Sequence, residues 1–236
     1  MKSRGFSLLE CLIGLALSLL VVCACLQFFA AAGRSYFNLR DKEEAAQSAT
    51  AALDKMRVDI LRAGQGMGPV AALGIAETPA EPGGGLLLTR AEASYSLTAG
   101  LAPGDTRIPL TSAAGLKPGR EVLVANSENG EVRTISAVAA GAVTVSPPLE
   151  GAYARDRASL VLLERVSLTL DGRPGVLRRK VNSSSAQPLL ENAASARFSV
   201  DRAANLVRVR FSLASQGDAD YELCLFPKNP ALAGKG

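Results

Sequence analysis

The 236-residue chain contains no histidine and no tryptophan. Without an imidazole there can be no Ser-His-Asp triad, no His-ligated metal and no side chain whose ordinary pKa lies near neutrality. Aromatic residues make up only 5% of the sequence, and few interleave with the basic ones, so a nucleic-acid partner is not indicated. Four cysteines are present, and Cys11, Cys23 and Cys25 lie in one apolar run, where they read as small apolar side chains. Cys224 alone lies outside it, and a single cysteine cannot be cross-linked within its own domain, which excludes a disulfide scaffold. It is expected as a buried core thiol, with a bridge to another chain as the alternative. A formal net charge of +4 describes a solvated surface and no more.

Charge is missing altogether from Cys11 to Ala32. That run of about 22 residues is long enough to cross a bilayer core as a helix, which needs roughly 20. Lys2 and Arg4 precede it, then Gly5 and Phe6, and a lone carboxylate, Glu10, stands at its edge. An acid just inside an apolar span is a functional flag, because it costs free energy unless it finds a partner. Ala30-Ala31-Ala32 imitates a signal-peptide cleavage site and Val22-Cys23-Ala24-Cys25 a lipoprotein box. The run is nevertheless longer than the roughly 7–15 apolar residues of a cleaved signal, and Glu10 would interrupt it. A bare single-pass anchor leaves Glu10 without a role.

Proline is also absent from Arg34 to Arg62, and the helix pattern continues. Ala45, Ala49, Ala52, Leu53, Met56 and Ile60 recur at steps of three and four, whereas Asp41, Glu44, Asp54, Lys55 and Arg57 lie off that stripe. The stripe is too short for a coiled coil. Gly64-Gln-Gly-Met-Gly-Pro69 closes the helix. Because these glycines end a helix rather than open one, and no Lys-Ser or Lys-Thr follows, they are not a phosphate loop. One helix is therefore expected over Phe6–Ala63, ~87 Å long at 1.5 Å per residue.

Residues 70–85 read as a loop, and short apolar runs bounded by turn residues follow. Strands are expected at Leu86–Thr89, Tyr95–Thr98, Arg107–Leu110, Glu121–Ala125, Val132–Val138, Ala142–Val145, Leu160–Leu170, Gly175–Val181, Phe198–Asp201, Leu206–Leu213 and Tyr221–Phe226. Asp171-Gly172 marks a hairpin turn, and Leu206–Leu213 alternates as a sheet with one wet face should. Dense turns at about 98–150 point to a small β unit inserted into the main sheet. The fold class is α+β.

Three clusters invite chemistry. Asp218, Asp220 and Glu222 would project to one side of a strand and could supply oxygen ligands for calcium, but no glycine-rich binding loop accompanies them. Arg178-Arg179-Lys180, with Arg155, Arg157, Arg208 and Arg210, could form a basic face, or simply alternate across strands as solvated charge. Ser183-Ser184-Ser185 has no accompanying base and reads as a polar turn. Nothing brings nucleophile, base and oxyanion donors together, so no enzyme and no cofactor are expected.

The opening Lys2-Ser-Arg-Gly-Phe-Ser-Leu-Leu-Glu10, with the acid five residues after the glycine, resembles the type III signal of type IV pilins and type II secretion pseudopilins. A looser resemblance extends through Asp59-Ile-Leu-Arg-Ala-Gly64, Gly115-Leu-Lys-Pro-Gly-Arg-Glu-Val, Pro148-Leu149, Gly175-Val-Leu-Arg and Gln187-Pro-Leu-Leu-Glu-Asn192 to PilW-like minor pilins and J-type minor pseudopilins. Where a pilus-type member often has Gly-Asp, this chain has Gly119-Arg120, and it lacks the cysteine pair that many major pilins carry near their C-terminus. The resemblance implies a leader, residues 1–5, cut between Gly5 and Phe6 by a prepilin peptidase that methylates the new amine. It implies a helix over 6–63, transmembrane to about 32, followed by a β-rich domain over 64–236. The chain would span the inner membrane once, N-terminus cytoplasmic and C-terminal domain periplasmic, before entering a pilus or pseudopilus with other pilin subunits. Glu10 would act in that assembly. A membrane-anchored adhesin or ligand-binding module is the alternative function.

Overall fold

In the computed structural model, residues 8–79, 84–172, 175–214 and 220–233 are described. The chain divides into two compact units, Met1–Gln47 and Ser48–Gly236. The first is the beginning of helix α1, Leu8–Leu61. Leucine- and alanine-rich sequence without proline sustains it. In this first unit the large apolar side chains, including Leu12, Ile13, Leu20, Phe28 and Phe29, are all exposed. By length and composition α1 can cross a membrane, and it is the single such helix among the described residues. Ser18 folds its hydroxyl back to the Leu15 carbonyl (2.9 Å), which removes a donor that an apolar surround could not satisfy.

In the second unit the α1 stripe turns inward as its spacing requires: Ala49, Ala52, Met56 and Ile60 are buried, while Asp54, Lys55 and Arg57 are exposed. Three devices stop the helix. Gly64 adopts a positive φ of 71°, and Gly74 approaches its backbone so closely that a side chain on either residue would collide with the other segment. The Gly64 amide donates to Thr89 (2.8 Å), and the Ala91 amide to Gln65 (2.8 Å). Asn229, in the short helix α2 (Lys228–Ala233), donates to the Ala63 carbonyl at 3.0 Å and to that of Leu61 at 3.4 Å, satisfying groups a helix end leaves orphaned.

Twelve strands follow among the described residues. They are β1 Ile75–Thr78, β2 Gly85–Ser96, β3 Arg107–Pro109, β4 Glu121–Ala125, β5 Gly130–Ala139, β6 Ala142–Ser146, β7 Ser159–Asp171, β8 Val176–Val181, β9 Gln187–Leu190, β10 Ala193–Asp201, β11 Leu206–Leu213 and β12 Asp220–Leu225. All pairings are antiparallel. The main sheet runs β1-β2-β7-β4-β5-β6-β3, with β8 and β9 branching from β7; a second sheet runs β10-β11-β12. The loop expected at 70–85 instead holds a 3-10 segment, Gly68–Gly74, and β1. The two strands expected at Leu86–Thr89 and Tyr95–Thr98 are one, β2, bulged between Ala91 and Ala93. Arg90, a polar interruption in the sequence, is tolerated because it lies directly opposite Glu164.

Strand β7 serves two layers along one edge. Its first half pairs with β4 (Ala125↔Ser159 to Val122↔Leu162) and its second with β8 (Val166↔Val181 to Asp171↔Val176), while β2 runs along the other edge. Strands β3–β6 are thereby a continuation of the main sheet. They curl back until Leu97 bridges Leu110 and Thr98 donates to Pro109 (3.0 Å), making a closed roll with β2 and β7. Ile108, Val122, Val124, Ile135, Val143 and Leu160 fill it. The opposite faces of β4 and β7, Leu123 and Leu163, are covered by Met67 and Ala71 just after α1. Burial on both faces is why Val122–Ala125 and Leu160–Leu163 are uninterrupted apolar runs.

Because Met56 and Ile60 are fully buried, a fragment starting at Arg34 should unfold cooperatively, whereas one starting at Gly64 should lose roughly 1.5–3 kcal/mol for each of the two side chains. Denaturant midpoints of the two fragments measure this, and equal midpoints would remove α1 from the core.

Candidate functional site

Gly5 and Phe6, with the basic leader, lie outside the described residues. Glu10 occupies the first turn of α1, where the helix dipole favours an anion. It is exposed, and its neighbours Leu8, Leu9, Leu12 and Ile13 are exposed apolar residues. Chemically this is a carboxylate carried within an apolar band.

Of the calcium candidates, Asp218 lies outside the described residues, while Asp220 and Glu222 alternate on one face of β12. Glu222 Oε2 is taken by Arg210 Nη2 at 2.9 Å across the strand pair, which holds the Arg210 guanidinium above its ordinary range. The basic residues split by strand parity. Arg178 pairs with Asp171 (3.2 Å), Arg179 turns inward, and Lys180 is exposed. Ser184 lies in an exposed turn, its hydroxyl 3.4 Å from the Ser185 carbonyl. Cys224 corrects an expectation: it is exposed. The register places Cys224 opposite Arg208, so it shares the outward face, whereas Val207 and Val209, opposite Leu225 and Leu223, point to the core.

The group missed in the sequence is Asp59. It is 3% exposed and receives a two-pronged ion pair from Arg179, Nε–Oδ2 2.6 Å and Nη2–Oδ1 3.0 Å. Arg90 stands 3.8 Å away and is itself gripped by Glu164 at 2.9 and 3.0 Å. Asp59 thus ties α1 to β2, β7 and β8, and the Asp59 hydrogen bond raises the Arg179 pKa. The signal was its position three residues after Met56, on the buried stripe.

A second network knots the roll. Glu131 accepts from the Glu150 amide (2.9 Å), the Gly151 amide (2.5 Å) and the Tyr153 hydroxyl (2.9 Å), and pairs with Arg133. Burial opposes ionisation of Glu131, but these donors outweigh it and lower its pKa. Burial and the Glu131 hydrogen bond push the Tyr153 phenol up.

These geometries set two outcomes. Asp59→Ala removes the carboxylate hydrogen-bonded to Arg179 and should cost about 3–5 kcal/mol; the cycle with Arg179→Met, read by chemical denaturation, should show strong coupling. The stability supplied by the depressed Glu131 pKa is complete above the ordinary value of 4.5 and lost as pH falls below it. Melting temperature plotted against pH should therefore drop less steeply in acid for Glu131→Gln than for the wild type. An identical acid limb would exclude the carboxylate as its source.

Comparison with known proteins adds little to this geometry. No family model matches the chain, and no curated protein does. Among solved structures, the tailspike gp54 of Acinetobacter baumannii bacteriophage AP22, in complex with a capsular saccharide, aligns at 9% identity and a TM-score of 0.30. The alignment covers 33% of this chain and 15% of the tailspike, a likeness too slight to assign a fold or a role.

Proposed function

We propose that the chain is a minor pilin-like subunit: an inner-membrane protein processed by a prepilin peptidase and assembled with other pilin subunits into a type IV pilus or type II secretion pseudopilus. The observation that carries this reading is the division of α1. Its first part exposes apolar side chains that need lipid or other helices around them, and its last turns are built into an antiparallel β domain. A helix of this kind can wait in a bilayer and later be packed among identical helices without changing its own fold. The Lys2-x-Arg4-Gly5-Phe6 leader supports the reading as a processing signal, with its cations retained on the cytoplasmic side.

Glu10 supplies the assembly chemistry. After cleavage between Gly5 and Phe6 it is the fifth residue, and the new α-amine stays cationic when methylated. Inside a bundle of apolar helices a carboxylate and a neighbouring subunit's amine neutralise each other, and each would be costly alone. The pairing favours assembled subunits over isolated ones.

Two measurements test this. Intact-mass analysis of membrane-extracted protein should find a methylated chain starting at Phe6; a lipidated Cys25, or a chain starting near Gly33, would refute processing of this type. Glu10→Gln should leave cleavage and the stability of the β domain unchanged while reducing co-purification of partner subunits severalfold. Equal recovery of partners would remove Glu10 from assembly.

A further inference from the structure

The sheet forks on one edge of β7, and the fork is a cleft. Where β4 leaves and β8 joins, Leu163–Arg165 has no strand beside it on that edge. Side chains take over the backbone pairing: Arg120 Nη2 donates to the Leu163 carbonyl (2.8 Å), and Asn182 Oδ1 accepts from the Arg165 amide (2.9 Å). Asn182 also returns its own amide to the Arg165 carbonyl (2.7 Å). Its floor includes the cross-strand row Leu87–Ser167–Lys180, and one wall is the 117–121 turn that leads into β4. The cavity is about 610 Å³, within the range of specific ligand sites.

Its charges are unbalanced. Among the described residues, Lys117, Arg120, Arg165 and Lys180 line the cleft against a single acid, Glu121. Arg165 is paired with Glu121 and Arg120 with Glu92. Lys117 in the wall and Lys180 in the floor are both exposed and have no ion-pair partner among the described residues. Two unneutralised ammonium groups over a floor with hydroxyl and aliphatic side chains complement a segment that presents spaced carboxylates. Among the described residues no aromatic ring lines the cleft, so bases would find no stacking surface.

We infer that the β7 fork is a docking cleft for an acidic polypeptide segment of a partner protein, held by Lys117 and Lys180. The site is independent of the assembly reading, since it is built wholly within the β domain. The full chain in detergent can be titrated against a fluorescent hexaglutamate peptide by anisotropy, beside a labelled hexathymidylate oligonucleotide. The peptide should bind in preference to the oligonucleotide and weaken as salt rises. Lys117→Glu with Lys180→Glu should weaken it about tenfold, and the alanine pair about threefold with an unchanged melting temperature. Arg155→Glu with Arg157→Glu, two exposed cations that do not line the cleft, should change it by less than about twofold. No peptide binding, equal loss in the Arg155/Arg157 control, or tighter binding of the oligonucleotide would each overturn the proposal. The alanine pair decides the matter if charge reversal prevents folding.

Discussion

The buried carboxylate of Asp59 is the constraint on which the β domain depends. A charge taken from water in this way is tolerable only with a partner of good geometry, and Arg179 meets it with two nitrogens. Because Arg179 comes from β8 and Arg90 from β2, one helical side chain sets the rotation of the last turns of α1 against two strands separated by β7. Hydrophobic burial of Met56 and Ile60 is non-directional and would allow that helix to slide or turn. The ion pair is directional and picks one setting.

Strand β7 carries the second half of the architecture. At thirteen residues it is long enough to pair with β4 over one half and β8 over the other, so the closed roll grows from the main sheet without a linker. The roll then needs its own internal fastening, which the Glu131–Arg133–Tyr153 cluster supplies. Where the two pairings part, polar side chains replace strand hydrogen bonds. That substitution leaves an open, cationic cleft in place of a continuous sheet.

Helix α1 has two parts of opposite exposure. Apolar exposure over its first part is stable only against lipid or other helices, whereas its last turns have already found their cover in the β domain. Glu10 lies on that exposed apolar part of the helix.

How much was legible follows from the range of each interaction. Periodicity and composition determined the long helix, its apolar first part, the buried face through Ala49, Ala52, Met56 and Ile60, its stop at Gly64, and the α+β class, because these depend on residues within a few positions of one another. Most strand positions were readable for the same reason; β1 and β9 were not, since four residues beside proline or glycine carry no clear alternation. Asp59 was missed although it follows Met56 by three residues, and its partners Arg90 and Arg179 are brought to it by register alone. Only the tertiary structure decided that β2 is one bulged strand, that Cys224 faces outward, that the roll closes, and that Lys117 and Lys180 share a cleft. In each case the deciding contact joins residues far apart in the chain, whose pairing depends on strand register and closure rather than on any local pattern.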